Sequence, residues 1–235
     1  MKTSFIDYTQ NKNWLNDAHK QALLKLISAS FNDVDAEYYF NKYFVANDVF
    51  ARKLRLYFAQ NEVVGYCLIN FSQSGKNVLI RASAAFYPQY RKGGNTFMYS
   101  MKQAFICWLK SPRQNIYYAD TMLSPAMYRA MAKKLAIIWP NANGKEQAKH
   151  LFELFNKDGF DSPALKVPCL VTAGRASNYS EQEVANFKKS DKEEINFYCQ
   201  LNPEFDKGTA LFVIIPVTLK QFFLTGIKLL TPFYR

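Results

Sequence analysis

Between residues 52 and 108 the hydrophobic period of the chain changes once, and it changes at a pair of glycines. Upstream, "RKLRLYFAQ" (52–60) alternates Leu54, Leu56 and Phe58, "NE" forms a turn, and "VVGYCLINFS" (63–72) follows. After "QSGK" comes a third run, "NVLIRASAAFYP" (77–88). These three have the period of strands joined by short turns, so they predict an antiparallel set. Downstream of "YRKGGN", Phe97, Met101, Phe105 and Trp108 recur at spacings of four, four and three, which predicts a helix over about 95–110. The chain has only 9 glycines in 235 residues, so Gly93 and Gly94 side by side need a reason. One reading is a cradle in which bare backbone amides, Arg91 and Lys92 receive a phosphate. The other is a plain strand-to-helix turn.

The flanking sequence completes a mixed α/β pattern. Residues 13–31 place Trp14, Leu15, Ala18, Ala22, Leu23, Leu26 and Ile27 at helical spacing, and 35–47 reads as a second, aromatic-rich helix. After the glycines come a strand, "NIYYADTML" (115–123), and a helix that Ser124 caps and Pro125 opens, running to the stretch before Pro140. Residues 137–192 read as an insert with one helix, "KEQAKHLFELFNK", and a short apolar stretch, "ALKVPCLV". "INFYCQLN" (195–202) and "ALFVIIPV" (210–217) read as a closing hairpin. The expectation is an α/β domain over 1–217 with a largely antiparallel sheet, then a basic amphipathic tail over 218–235.

Charge narrows the partners. The net charge is +11, and no acidic residue stands between Glu62 and Asp120, where Lys76, Arg81, Arg91, Lys92, Lys102, Lys110 and Arg113 lie. A segment of one sign suits an anionic ligand. The alternative is a scatter of solvated lysines. Cys67, Cys107, Cys169 and Cys199 stand far apart without a CxxC pair, so the usual zinc patterns do not apply and reduced thiols are expected. No metal is expected. No run of about 18 apolar residues would cross a bilayer, and the opening residues lack a signal-peptide core, so a cytoplasmic protein is expected.

The element order, with a glycine loop opening a helix, resembles the GNAT acyltransferase superfamily. Its loop signature is Gln or Arg, two residues, Gly, one residue, then Gly or Ala; here it reads Arg91-Lys92-Gly93-Gly94-Asn95-Thr96. Pro88, Gln89 and Tyr90 resemble the usual lead-in, and Thr96 stands where the family has a small residue. The likeness in order covers about 13–136 and 195–217. It implies an acyl-CoA donor, acetyl-CoA or another thioester, whose pyrophosphate rests on residues 91–96, and an amine acceptor. It also implies a thioester-polarising backbone amide at Ala84, Ala85 or Phe86, and a tyrosine that protonates the leaving thiolate, for which Tyr128 in "SPAMYRAM" matches. Packing on the core is the other reading of Tyr128. The strand before the loop has no carboxylate for a general base. Asp120 could act through water but reads more simply as structural, and His19 and His150 are isolated.

Competing functions remain open at this point. Phe86, Phe97, Phe105 and Trp108 could line a tunnel for a long acyl chain carried by CoA or a carrier protein. The charge and aromatics would also suit nucleic acid, although no helix-turn-helix, zinc or RNP-type motif supports that. Residues 218–235, "TLKQFFLTGIKLLTPFYR", combine bulky apolar residues with Lys220, Lys228 and Arg235 and contain no acid, as a peripheral membrane helix would. A terminal helix covering the domain's own core is the alternative.

Overall fold

The three strand-period runs form three strands of one antiparallel meander: β2 (Ala51–Ala59), β3 (Glu62–Ser74) and β4 (Asn77–Phe86). Gln60 and Asn61, at φ 50° and 67°, make the first turn, the left-handed geometry that suits the twist of a hairpin. A strand not expected from the sequence, β1 (Ser4–Thr9), adds to the other side of β2, also antiparallel. Six residues with only partial alternation carry too little signal to read. The computed structural model describes residues 3–31, 34–90, 96–142, 148–173 and 179–231, and the chain divides into two units, 1–115 and 116–235.

In the first unit the sheet is covered on both faces. Helices α1 (Asp17–Ser30) and α2 (Ala36–Phe40), the latter continued by a π turn over Asn41–Val45, cover one face. There Leu23, Leu26, Ile27, Phe40 and Phe44 pack with Leu54, Leu56, Tyr66, Leu68 and Ala85. Helix α3 (Thr96–Lys110) covers the other face, with Ser100 beside Cys67 and Tyr99 beside Arg55. The residues α3 buries fully are Tyr99, Ser100 and Ala104. The expected stripe of Phe97, Met101, Phe105 and Trp108 is only partly covered, and Phe105 is exposed. Ser100 and Ala104, four apart and small, bring the helix close to the sheet, and that close approach decides the orientation.

Arg52 is fully buried on β2 and donates to the carbonyls of Tyr43 (3.0 Å) and Ala46 and to Gln10 Oε1 (3.2 Å). It satisfies the carbonyls that the end of the π turn leaves without helical partners.

In the second unit, β5 (Asn115–Met122) and β6 (Leu170–Thr172) pair antiparallel with opposite sides of β7 (Thr209–Pro216), which is buried along nearly its whole length. Helices α4 (Pro125–Ala132), α5 (Lys149–Phe155) and α6 (Glu181–Lys188) precede α7 (Glu193–Leu201). The strand expected over 195–202 is therefore a helix. Aromatic and β-branched residues suggest a strand there, but Ile195, Tyr198 and Leu201 recur every three residues and are buried, and Glu193 and Glu194 fill a first turn where a helix favours acids. The antiparallel partner expected there comes from "ALKVPCLV" instead, as β6.

Helix α4 stops at Ala132, four residues short of the expected end, and the chain over 133–138 is not helical. Its freed backbone groups are met by the polar side of α8 (Leu219–Leu230). Gln221 donates to the Ile137 carbonyl (2.8 Å) and accepts from the Ile137 amide (3.0 Å); Thr225 accepts from the Ala136 amide (3.2 Å). Lys228 donates to the carbonyls of Ala132 (3.0 Å) and Leu135 (2.6 Å). A helix expected to lay apolar residues on the core instead turns polar ones inward, because buried backbone requires partners. Replacing Gln221 by Leu leaves both backbone groups of Ile137 unpaired, so urea unfolding should show a loss of about 2 kcal/mol. Phe223→Ser, on the exposed side, should change stability by no more than about 0.5 kcal/mol.

Candidate active site

The donor half of the candidate site begins where β4 ends. Tyr87 N–H donates to the Val64 carbonyl at 3.1 Å, and Gly65 lies opposite Phe86. That bond fixes the phase of the ladder: alternation turns the Ala85 amide toward β3 and the amides of Ala84 and Phe86 away from it. Of the three candidate amides, two thus point off the β3 side, and Phe86 is the one nearer the loop.

Gly65 explains how Phe86 fits. A Cβ there would fall 2.1 Å from Phe86 Cδ1, so the ring lies across bare backbone. On its other side the Tyr57 ring is 4.9 Å away. The register shifts at this point: Tyr57 faces Gly65 and Phe58 faces Val63, which leaves Val64 unopposed as a bulge. A 3₁₀ turn, Pro88–Tyr90, closed by Tyr90 N–H on the Tyr87 carbonyl (2.8 Å), carries the chain off the strand. Helix α3 then opens at Thr96 on the same sheet. Arg91, Lys92, Gly93, Gly94 and Asn95 connect the two and lie outside the described residues. Ala85 turns its side chain into the α1 and α2 core.

Tyr57 is a neighbour that the sequence does not single out. Its ring is buried, and its hydroxyl has no hydrogen-bond partner among the described residues; burial pushes its pKa up to about 12. Nearby, Arg55 pairs with both carboxylate oxygens of Asp7 (2.6 and 2.8 Å) and lies 3.8 Å from the Phe5 ring centroid and 4.3 Å from that of Tyr99. A signal exists in principle: the hairpin register opposes Tyr57 to Gly65, yet only the bulge reveals that pairing.

Tyr128 lies in the second unit, on α4. It is 1% exposed, it packs beside the rings of Phe197 and Tyr198, and its hydroxyl donates to the Pro140 carbonyl at 2.8 Å. Burial, and then Glu194, pushes its pKa well up. Tyr198 is held alike, donating to the Met122 carbonyl at 2.7 Å. Tyr128 also forms part of the wall of a cleft of about 630 Å³ with Leu135, Ile138, Phe197 and the charged Glu193, Glu194 and Lys228. A proton committed to a buried carbonyl suits packing better than delivery to a thiolate. Tyr128→Phe should therefore cost about 1 kcal/mol in a thermal or urea melt and leave kcat within a few-fold. A loss of about 10²-fold in kcat with unchanged stability would instead make it the acid.

The remaining candidates are held locally. Asp120 on β5 accepts from the Thr121 amide at 2.8 Å. His19 is half-buried beside Tyr8, whose hydroxyl is 3.4 Å from Nε2, and His150 is exposed on α5. None of the four cysteines forms a disulfide. Burial raises the pKa of Cys107, of Cys169 to about 12 and of Cys199 to about 11, so none of these three is a thiolate at neutral pH. Among the described residues there is no cluster of three or more metal-ligating side chains, and no helix is long and apolar enough to cross a membrane.

No family model matches the chain, and no curated protein matches it. Solved structures do, and they include acetyltransferases of the GNAT family. Escherichia coli ElaA is 18% identical over 54% of this chain and 84% of its own, with a TM-score of 0.36. The ribosomal-protein-S18-alanine N-acetyltransferase of Escherichia coli is 7% identical over 91% of this chain and 96% of its own, at 0.37. A GNAT-family acetyltransferase from Streptococcus pneumoniae is 10% identical over 91% and 99%, at 0.36. At these scores the neighbours lend the chain no function.

Proposed function

We propose that the protein is a GNAT-type acyltransferase that moves an acyl group, acetyl in the simplest case, from coenzyme A to an amine. The observation that carries this reading is the path in the first unit. A strand ends at Phe86, a 3₁₀ turn follows, and a 15-residue helix opens at Thr96 on the same sheet, with the sequence RKGGN joining them. A helix N-terminus offers unpaired N–H groups and the positive end of its dipole, glycines let a pyrophosphate approach, and Arg91 and Lys92 add charge. The acid-free stretch 63–119 supplies a wider positive field for the remaining phosphate of the coenzyme.

In this reading the Phe86 amide, turned off the β3 side, donates to the thioester carbonyl oxygen as negative charge builds there. The amine lone pair attacks the carbonyl carbon, the C–N bond forms and the C–S bond breaks. The ammonium proton leaves to water, and the thiolate takes one from solvent. No carboxylate stands on β4 (77–86) to act as base, so the acceptor enters as the free amine. Activity should then rise with pH through the acceptor's own pKa.

Calorimetric titration with coenzyme A and acetyl-CoA tests the donor. Gly94→Glu puts bulk and negative charge where the pyrophosphate approaches, and should abolish binding while the melting temperature holds. Arg91→Ala should weaken binding by about 1 kcal/mol, as expected for a partly exposed charged contact. Normal binding by Gly94→Glu would remove the donor assignment. Palmitoyl-CoA in the same titration separates a short from a long acyl donor.

A further inference from the structure

Helix α8 is built the wrong way round for a helix that serves only its own unit. Gln221 and Thr225 are 2% and 1% exposed, and with Lys228 they hold the backbone of 132–137. On the opposite side Leu219, Phe223, Ile227 and Leu230 are 61%, 67%, 44% and 84% exposed. These four are spaced four, four and three apart, which sets them in one stripe along the helix. Isolated exposed apolar residues need no explanation, but a stripe of leucine, isoleucine and phenylalanine spanning the length of a helix does.

The surrounding charge says what covers it. Lys220 is exposed at the start of α8, next to Leu219, and Lys133 is exposed beside the α4 terminus that Lys228 clasps. From Gly208 to the end of the sequence there is no acidic residue, and none stands between Asp120 and Lys145. Glu193 and Glu194 line the cleft that the inward-turned Lys228 also lines, and Glu194 sits 3.4 Å from Arg129. An apolar stripe with a cationic margin is complementary to an anionic lipid surface: the stripe enters the acyl boundary while the lysines meet headgroup phosphates. A second copy fits less well, because it would present the same lysines and, along α8, no acid to meet them.

We propose that the exposed face of α8 docks the protein on anionic membrane, with Leu219, Phe223, Ile227 and Leu230 as the inserted residues. This stands apart from the acyltransferase reading and can fail without it. The test is co-sedimentation of the full chain with vesicles of phosphatidylcholine alone or with about 30% phosphatidylglycerol, alongside light scattering of the protein in solution. Binding is expected only to the anionic vesicles, weakening as salt rises. Phe223→Ser/Leu230→Ser should reduce it at least tenfold and Lys220→Glu several-fold, with melts confirming that both variants fold. The proposal is overturned if phosphatidylglycerol vesicles bind no protein, or if the double variant binds as well as the parent. It is equally overturned if light scattering gives a dimer that Phe223→Ser/Leu230→Ser converts to monomer, since a second copy would then occupy the face.

Discussion

Both faces of β3 are covered, and the rest of the first unit follows from that constraint. A strand sends alternate side chains to opposite faces, so one sequence has to satisfy two different cores. Tyr66 and Leu68 meet the helices α1 and α2, while Cys67 between them meets Ser100 of α3. The neighbouring strands repeat the division, with Leu54 and Leu56 on one face and Arg55 and Tyr57 toward the other. At Gly65 a side chain has no room, since the Phe86 ring occupies the space it would take. The bulge at Val64 lies beside it, where β4 ends and the chain turns toward the helix. The packing of the sheet and the geometry at the candidate donor site are therefore one problem.

Buried helix and turn ends are treated alike in both units. Where a helix or turn ends under cover, a polar side chain meets the backbone groups it leaves. Arg52 does this for the π turn, and Gln221, Thr225 and Lys228 do it for the chain after α4. Tyr128 and Tyr198 each commit a hydroxyl to a backbone carbonyl. The alternative is desolvated backbone, which costs more than these side chains lose in freedom. The same rule inverts α8: with Gln221 and Thr225 committed inward, Leu219, Phe223, Ile227 and Leu230 are left facing out, while Phe222 and Leu224 are half-buried.

The sequence is most legible where periodicity is long and local. The hairpins at β2, β3 and β4, the helix after the glycines and the cap at Ser124 follow from spacing and turn residues alone. It is least legible where tertiary demand overrides local pattern. "INFYCQL" has strand-like composition, yet its burial at three-residue intervals makes it a helix. On α3 the most apolar stripe reads as the buried one, whereas closeness to the sheet favours Ser100 and Ala104. For α8, the amphipathic pattern is plain but its direction is not, since that depends on backbone groups of residues 132–137, far away in sequence. Of the candidate site, the Phe86 end of β4 can be placed by pattern. Tyr57 cannot, because it becomes a neighbour of Phe86 only through the register shift at Val64.

The two halves of the candidate chemistry differ in what kind of sequence signal can carry them. Holding a pyrophosphate falls to the backbone. It needs glycines, a helix start and local positive charge, all within a few consecutive residues, and so it leaves a motif. Proton transfer falls to side chains and needs only one group at the right place, so any tyrosine or carboxylate in the chain can be nominated for it. The fate of Tyr128 follows from this asymmetry. Its match in order is good, but its hydroxyl is occupied by the Pro140 carbonyl, a partner twelve residues away that no motif describes. An acyl transfer to a free amine needs little from such a residue, because the nucleophile arrives deprotonated and a thiolate is a stable leaving group near neutral pH. What it requires of the protein is orientation and a donor for the developing oxyanion. In the proposed reaction a backbone amide at the end of β4 would supply that donor irrespective of which side chains lie nearby.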